Sequence, residues 1–136
     1  MTRRKKIAQV KIDVPFHDLD GLNVVWHGHY YKYFEVARTA FLRAVGFDAP
    51  EMKRSGYRWF VIESHCRYVA PIRYGMMVVA KVSLADADHR LKFIYTLLDK
   101  KTGRRLATGY TVHAAVHAKT GKLSLMTPPV FLRHLK

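Results

Sequence analysis

Residues 17–46 read HDLDGLNVVWHGHYYKYFEVARTAFLRAVG and contain the strongest helix signal of the chain. From residue 30 its apolar side chains recur at intervals of three or four, which places them on one face of a helix: Tyr30, Phe34, Ala37, Phe41 and Val45. The periodicity predicts a helix over about 29–45, and Gly46 is suited to end it. Because few of the other positions are strongly polar, we expect most of this helix to be buried.

The rest of the chain has the shorter apolar period of strands. Besides a first strand over 7–16, strands are predicted over 57–70, 76–87, 90–100 and 104–119. Short helical segments are predicted at 49–55 and from Pro128 or Pro129. One long helix with a run of antiparallel strands predicts an α+β fold in which a sheet of about five strands wraps the helix. The strand edges would be exposed, and dimerisation would hide them.

Length and composition narrow the class of protein. The chain has 136 residues, 49% of them apolar or aromatic, which predicts one folded domain over 7–136 behind a basic arm at 1–6. No apolar run reaches the length of a membrane span, and no secretory signal is present, so the cytoplasm is the predicted location. The lone Cys66 excludes an intrachain disulfide and is predicted to be structural.

The charge is strongly positive, with 24 Lys and Arg against 10 Asp and Glu, a net charge of +14. Such a surface attracts anions. The candidate partners are nucleic acid, an anionic membrane, an acidic protein or a phosphorylated small molecule.

The segment before the long helix holds the densest group of reactive side chains, with two carboxylates and three histidines within residues 17–29. The first N–H groups of a helix lack partners and carry partial positive charge, so they can hold the oxyanion of an acyl carbonyl. Asp18 or Asp20 on the preceding loop can then act as a base or nucleophile. The alternatives are that these carboxylates are turn residues, or that they bind a cation with His27 and His29.

An ordered motif in this region resembles a known family. Asp18-x-Asp20, Val24-Val25-Trp26-His27-x-x-Tyr30, Tyr33-Phe34-Glu35-x-Ala37-Arg38 and Leu42-x-x-x-Gly46 resemble the hot-dog-fold acyl-CoA thioesterases. The nearest branch is the 4-hydroxybenzoyl-CoA thioesterase-like group, which includes the thioesterase associated with the bacterial Tol–Pal system. The resemblance implies a hydrolase that cleaves acyl-CoA, or acyl-carrier-protein, thioesters with no metal or redox cofactor. Coenzyme A would be part of the substrate.

The resemblance also implies roles for single residues. Asp20 would be the general base or nucleophile, and His27 would assist the acyl group or the leaving thiolate. The backbone amides near His27 and Gly28 would stabilise the oxyanion. Asp18 would organise the loop, and Tyr30 would be a support residue, like Arg38. Glu35 is the second candidate for the catalytic carboxylate, with an ion pair to Arg38 as the alternative.

Three positions depart from the family pattern. Asn23 occupies the position, three residues after Asp20, where the family often has Gly. The glycine of this chain, Gly21, lies directly after Asp20 instead. Leu19 replaces the Thr between the two carboxylates, and Phe16 replaces a Tyr. A shifted loop would move the carboxylate relative to the carbonyl, so rate and substrate choice depend on these positions.

Several further expectations concern partners. Arg90 and Lys92 are candidate contacts for the phosphates of coenzyme A. Tyr30, Phe34 and Phe41 are candidate residues of an acyl pocket. A homodimer or homotetramer is predicted, with the active site at the helix N-terminus and the subunit interface.

The alternative functions are a non-catalytic acyl-CoA-binding protein and a nucleic-acid-binding protein. The second would use aromatic residues such as Tyr57 and Trp59 between arginines, but no RNA-binding signature is present, and nucleic acid is not an expected partner.

Overall fold

The computed structural model describes residues 6–136. The predicted basic arm at 1–6 therefore lies outside the described residues except for Lys6. The strands are β1 (Ile7–Asp13), β2 (Tyr57–Tyr68), β3 (Met77–Asp86), β4 (Leu91–Asp99) and β5 (Arg105–His117). The helices are α1 (His29–Ala44), α2 (Ala49–Arg54) and α3 (Pro129–Leu132), with 3₁₀ turns at Phe16–Asp18 and Arg133–Leu135.

The five strands form one antiparallel sheet in the order β1-β3-β4-β5-β2. The helix α1 lies across one face of the sheet and contacts β1, β3 and β4. This is the predicted α+β class and the hot-dog arrangement, with one long helix against a curved sheet. The first strand is shorter than predicted, since it ends at Asp13 and the chain turns at Pro15, which has no N–H to donate to a neighbouring strand.

Aromatic side chains fill the space between α1 and the sheet. Phe34 stacks on Tyr95 of β4 with ring centroids 4.5 Å apart, and Phe41 meets Phe93 edge to face. Phe34 and Phe41 are fully buried in this core, so the expectation that they line an acyl pocket is wrong. The burial predicted for α1 was also too broad, because only the face toward the sheet is covered and side chains such as Glu35 remain exposed.

The two edges of the sheet are β1 and β2. On β2, the side chains of Phe60, Val61 and Ile62 are each about half exposed, at 51%, 50% and 56%. Trp59, on the same strand, was expected to be an exposed aromatic. Instead it is half-buried and packs against Phe47 and Phe131. Among residues 6–136 no helix is long and apolar enough to cross a membrane.

Candidate active site

The segment before α1 folds into a tight hairpin at one end of the sheet. The backbone N–H of Asp20 donates to Val24 at 2.9 Å, and the N–H of Trp26 donates to Asp18 at 3.0 Å. The N–H of Val25 donates to Ile72 at 2.8 Å, which fastens the hairpin to the loop after β2. Asn23 occupies the left-handed turn position with φ 61°. Asn tolerates this conformation better than other residues with side chains, so the hairpin forms without the glycine of the family pattern.

Asp18 is fully buried and ties this hairpin to α1. Its carboxylate accepts hydrogen bonds from the Tyr33 hydroxyl at 2.7 Å and from the Lys32 ammonium. The nearest ring nitrogens of His17 and His29 lie 3.7 and 3.9 Å from it. Burial raises the pKa of the Asp18 carboxyl, but the hydrogen bonds from Lys32 and Tyr33 outweigh burial and the net pKa is lowered. Asp18 is therefore an ionised, fully partnered carboxylate.

Asp20 lies two residues further on in a more open environment. One carboxylate oxygen accepts a hydrogen bond from the backbone N–H of Leu22 at 2.8 Å, and the other has no hydrogen-bond partner among the described residues. The pKa of the Tyr30 phenol is raised, first by burial and also by the negative charge of Asp20. Tyr30 belongs to the first turn of α1, so the charge of Asp20 acts on a side chain of that turn.

The start of α1 presents two free backbone donors. Gly28 is the N-cap residue, and the N–H groups of His29 and Tyr30 turn back to the carbonyls of Trp26 and His27. Within residues 6–136 the N–H groups of His27 and Gly28 have no hydrogen-bond acceptor. They stand at the positive end of the helix dipole, which favours an anion there.

Two aromatic residues shape this helix start. The indole of Trp26 covers Gly28 so closely that a Cβ at position 28 would lie 2.3 Å from it. The Tyr68 hydroxyl, at the end of β2, donates to the carbonyl of His27 at 2.9 Å. The His27 imidazole itself is exposed. A side chain at position 28 would therefore displace the indole, and Tyr68 holds the peptide that carries the Gly28 N–H.

The phenols and the thiol beside the helix start are protonated at neutral pH. Tyr30 and Tyr68 meet edge to face, with centroids 4.7 Å apart, beside a shallow pocket of about 260 Å³. Burial is the largest cause that raises the pKa of Tyr68 to about 12. Burial also raises the pKa of the Cys66 thiol. A raised pKa makes Cys66 a poor nucleophile at neutral pH.

The second candidate carboxylate lies elsewhere. Glu35 is exposed, two turns along α1 from the helix start, and no ion pair within 4 Å joins it to Arg38 in the described residues. Arg38 instead donates from Nη1 to the Tyr95 hydroxyl at 3.0 Å. Both residues line a cavity of about 240 Å³ between α1, α2, β2 and β5, which we call the Arg38 cavity.

His113 on the wall of the Arg38 cavity, with Tyr95 and Thr111 behind it, forms a polar group that the sequence analysis missed. The Tyr95 hydroxyl bonds to Thr111 Oγ1 at 2.6 Å, and Thr111 bonds to Nε2 of His113 at 2.8 Å. Burial, and then the charge of Arg38, lower the pKa of His113 to about 4. The one available signal was the alternation of Thr111 and His113 on the buried face of β5, where apolar residues are expected.

The residues predicted to contact the phosphates of coenzyme A lie at the opposite end of the sheet from the helix start of the same chain. The Arg90 guanidinium donates to three backbone carbonyls, of His89, Ser124 and Leu125. The Lys92 ammonium lies over the ring of Tyr110 at 4.5 Å. The fold does not bring these residues to Asp20 and His27, and their phosphate contact stays a prediction. In the described residues no group of three or more His, Cys, Asp or Glu is placed to hold a metal ion.

Comparisons with known proteins agree with this fold. A family model described as the thioesterase-like superfamily matches residues 14–135, and the chain belongs to that superfamily. A Synechocystis sp. protein named "Putative esterase sll0410" is 31% identical over 132 residues, which cover 96% of this chain and 80% of that protein.

Two solved structures have the same fold. The DHNA-CoA thioesterase of Staphylococcus aureus superposes with a TM-score of 0.81 at 25% identity, over 88% of this chain and 80% of that one. A 4-hydroxybenzoyl CoA thioesterase mutant complexed with 4-hydroxybenzoyl CoA superposes with a TM-score of 0.83 at 9% identity, over 96% of this chain and 99% of that one. At that identity the second likeness shows the fold alone.

Proposed function

We propose that the protein hydrolyses acyl-CoA or acyl-carrier-protein thioesters to a free acid and a thiol, with Asp20 as the general base. The observation that carries the proposal is a carboxylate with one oxygen unpartnered among residues 6–136, on the hairpin that leads into a helix start whose His27 and Gly28 N–H groups also lack an acceptor there. Membership of the thioesterase-like superfamily and the likeness to the S. aureus DHNA-CoA thioesterase support thioester hydrolysis. The narrower likeness to the Tol–Pal-associated thioesterase stays a prediction.

The reaction needs a base and an anion site, and the helix start offers both. The thioester carbonyl oxygen would point at the N–H groups of His27 and Gly28. Asp20 would take a proton from a water molecule, whose oxygen forms a bond to the carbonyl carbon while the carbonyl electron pair moves to oxygen. When the resulting tetrahedral intermediate collapses, the C–S bond breaks and the thiolate takes the proton from Asp20. Direct attack by Asp20 on the carbonyl carbon is the alternative.

Charge favours substrates that carry phosphate. A net charge of +14 attracts coenzyme A, which carries several phosphates, and equally an acidic carrier protein. The reaction that we propose uses no metal or redox cofactor, and coenzyme A enters only as part of the substrate. A cytoplasmic location remains part of the proposal.

The exposed edge of β2 supports a homodimer. Among residues 6–136 its backbone has no neighbouring strand on one side, and Phe60, Val61 and Ile62 are half exposed there. Such an edge pairs readily with a second strand. Two copies of β2 paired antiparallel about the middle of the strand would bury these side chains and would place the helix start at the subunit interface, as predicted. A homotetramer would join two such dimers.

The test is thiol release from a panel of aryl, short-chain and long-chain acyl-CoAs and an acyl carrier protein. We expect release by the wild type and a loss of about 100-fold or more in kcat for Asp20→Asn. Asp99→Asn is the matched control, because Asp99 also caps a turn with its carboxylate but lies in the β4–β5 hairpin. Release that survives in Asp20→Asn and is lost in Glu35→Gln would move the catalytic role to Glu35. No release from any substrate would contradict the proposal and favour a binding function.

A further inference from the structure

The Arg38 cavity has an apolar wall with a polar end. Leu42, Trp59 and Phe93 are among the residues that form the wall, and Arg38 and His113 form the polar end. The cavity is separate from the shallow pocket at the helix start. Its volume of about 240 Å³ suits a ring or a short chain rather than a nucleotide.

The hydrogen bonds behind the cavity run in one direction. Arg38 can only donate, so Tyr95 accepts from it and gives its own proton to Thr111. In the described residues the only other atom within hydrogen-bond distance of the Thr111 hydroxyl is Nε2 of His113, so Thr111 donates to that nitrogen. A neutral His113 therefore carries its proton on Nδ1. His113 is neutral at pH 7, since burial holds its pKa near 4.

The Nδ1–H group of His113 faces the cavity. It has no protein partner among residues 6–136, and no fully buried side-chain nitrogen or oxygen there lacks a partner. Nδ1 is therefore reached from open space, and His113 lines the cavity. The result is a fixed donor in an otherwise apolar wall.

Arg38 adds a second set of donors. The residue is half-buried, no carboxylate of the described chain lies within 4 Å of it, and its one protein partner is the phenol oxygen of Tyr95. A guanidinium has five N–H donors, so most remain available. Glu35 lines the same cavity but is exposed to solvent, where its charge is screened. Asp48 also lines the cavity, but its carboxylate accepts hydrogen bonds from the Arg43 guanidinium and from the backbone N–H of Ala49. Arg38 and His113 therefore supply the donors of the polar end that have spare capacity for a ligand.

We propose that the Arg38 cavity binds the far end of the acyl group, and that this end carries an acceptor oxygen, as a carboxylate or a hydroxyl, on an apolar ring or chain. Arg38 and His113 are the specificity-determining residues, and Tyr95 and Thr111 position them. This inference rests on the proposed thioester hydrolysis.

Within one chain the cavity is far from the helix start. Ten residues of α1 separate Gly28 from Arg38, which is about 15 Å along the helix axis and much longer than a benzoyl-sized acyl group. The two ends of β2 show a shorter route. Tyr68 contacts the helix start and Trp59 lines the cavity, so antiparallel pairing of two β2 strands brings the Trp59 end of one beside the Tyr68 end of the other. The cavity of one subunit therefore serves the helix start of its partner.

The first test measures thiol release from benzoyl-CoA and from its 4-hydroxy and 4-carboxy derivatives. We expect the wild type to favour the substituted acyl groups in kcat/KM by about 10- to 100-fold, mainly through KM. Arg38→Met should remove this preference, Arg38→Lys should restore part of it, and Tyr95→Phe should weaken it. Arg54→Met, an exposed arginine of α2, is the matched control and should leave the preference unchanged.

The two ways of failing are distinguishable. Hydrolysis without a preference, or a preference that Arg38→Met retains, would overturn the specificity role of the cavity and leave the hydrolase intact. No hydrolysis by the wild type would overturn the proposed function and this inference with it. Because Trp59 lines the cavity, its fluorescence in each variant shows whether the wall is still folded.

The second test identifies the subunit that supplies the cavity. Asp20→Asn and Arg38→Met subunits are mixed under conditions that allow exchange, and release from the preferred substituted acyl-CoA is measured. A mixed dimer contains one site with an intact Asp20 from one subunit and an intact Arg38 from the other, so we expect up to about one quarter of the wild-type rate to return. Activity that stays at the average of the two variants would overturn the assignment of the cavity to the partner subunit.

Discussion

The helix start and the Arg38 cavity both include residues of α1, but their polar groups are held in different ways. At the helix start, the groups that we propose for catalysis are backbone amides and one carboxylate on an open hairpin, held by bonds within the hairpin and by Ile72 and Tyr68. In the Arg38 cavity, the polar groups come from α1, β4 and β5, and each depends on the next for its hydrogen bond. The first region is open to the water that the proposed hydrolysis consumes, and the second offers side-chain donors suited to recognition of an acceptor oxygen. Asp20 and Asp18 differ in a similar way. Asp20 has one oxygen without a partner among residues 6–136, whereas Asp18 is buried and its carboxylate is fully partnered.

The largest effect is expected from the open carboxylate. Asp20→Asn should lower kcat for thiol release by 100-fold or more, because the variant cannot accept a proton from water. Glu35→Gln, in the other region, should change kcat less than fivefold, as roughly expected for a residue outside the reacting groups. Steady-state kinetics of both variants on one acyl-CoA measure the difference. Equal losses would mean that the two regions share one catalytic function.

The buried histidine should make stability depend on pH. Its pKa is about 6.5 unfolded and about 4 folded, so below pH 6.5 the unfolded chain binds a proton that the folded chain does not. The contribution of His113 to the free energy of unfolding is fully present above pH 6.5. It is lost as the pH falls toward 4, and the loss amounts to roughly 3 kcal/mol. His113→Gln should lose less stability than the wild type between pH 7.5 and 4.5 in urea unfolding. Parallel losses in the two proteins would contradict this.

Asp18 should matter for stability more than its neighbour. Asp18→Asn removes the charge that Lys32 and Tyr33 hold, and we expect the free energy of unfolding to fall by about 2 kcal/mol. Asp20→Asn should change it by less than about 0.5 kcal/mol, since the side chain is more open. Guanidinium unfolding at pH 7 measures both. If Asp20→Asn were the more destabilising, the assigned roles of the two carboxylates would be reversed.

A smaller effect should follow from the contact between Trp26 and Gly28. Gly28→Ala forces the indole away from the helix start, and we expect kcat/KM to fall by about tenfold through displacement of the two free N–H donors. In a Trp26→Ala background the same change should cost little, because the space is then open. Thiol release by the four proteins of this cycle measures the coupling between the two positions. Additive losses would show that the indole does not set the geometry of the donors.

Local patterns were sufficient to predict the elements of the fold. The spacing of Tyr30, Phe34, Ala37 and Phe41 predicted α1 to within a residue at each end, and Gly46 follows it with φ 78°. The alternating strands predicted the antiparallel sheet. These predictions succeed because each depends on neighbours within a few residues. The width of the buried face of α1 was overestimated, since it depends on how much of the helix the sheet covers.

The candidate site also has features that local sequence predicts and features that depend on distant segments. The presence of carboxylates, glycine and histidine at a helix start could be predicted, because those residues are contiguous in the chain. The burial of Asp18, the openness of Asp20, the cover of Trp26 over Gly28 and the contact of Tyr68 with the carbonyl of His27 became visible in the folded chain. The fold also joins Arg38 to His113, 75 positions further along the chain. The burial and hydrogen bonding of a side chain depend on distant segments that pack around it, and no local pattern records those segments.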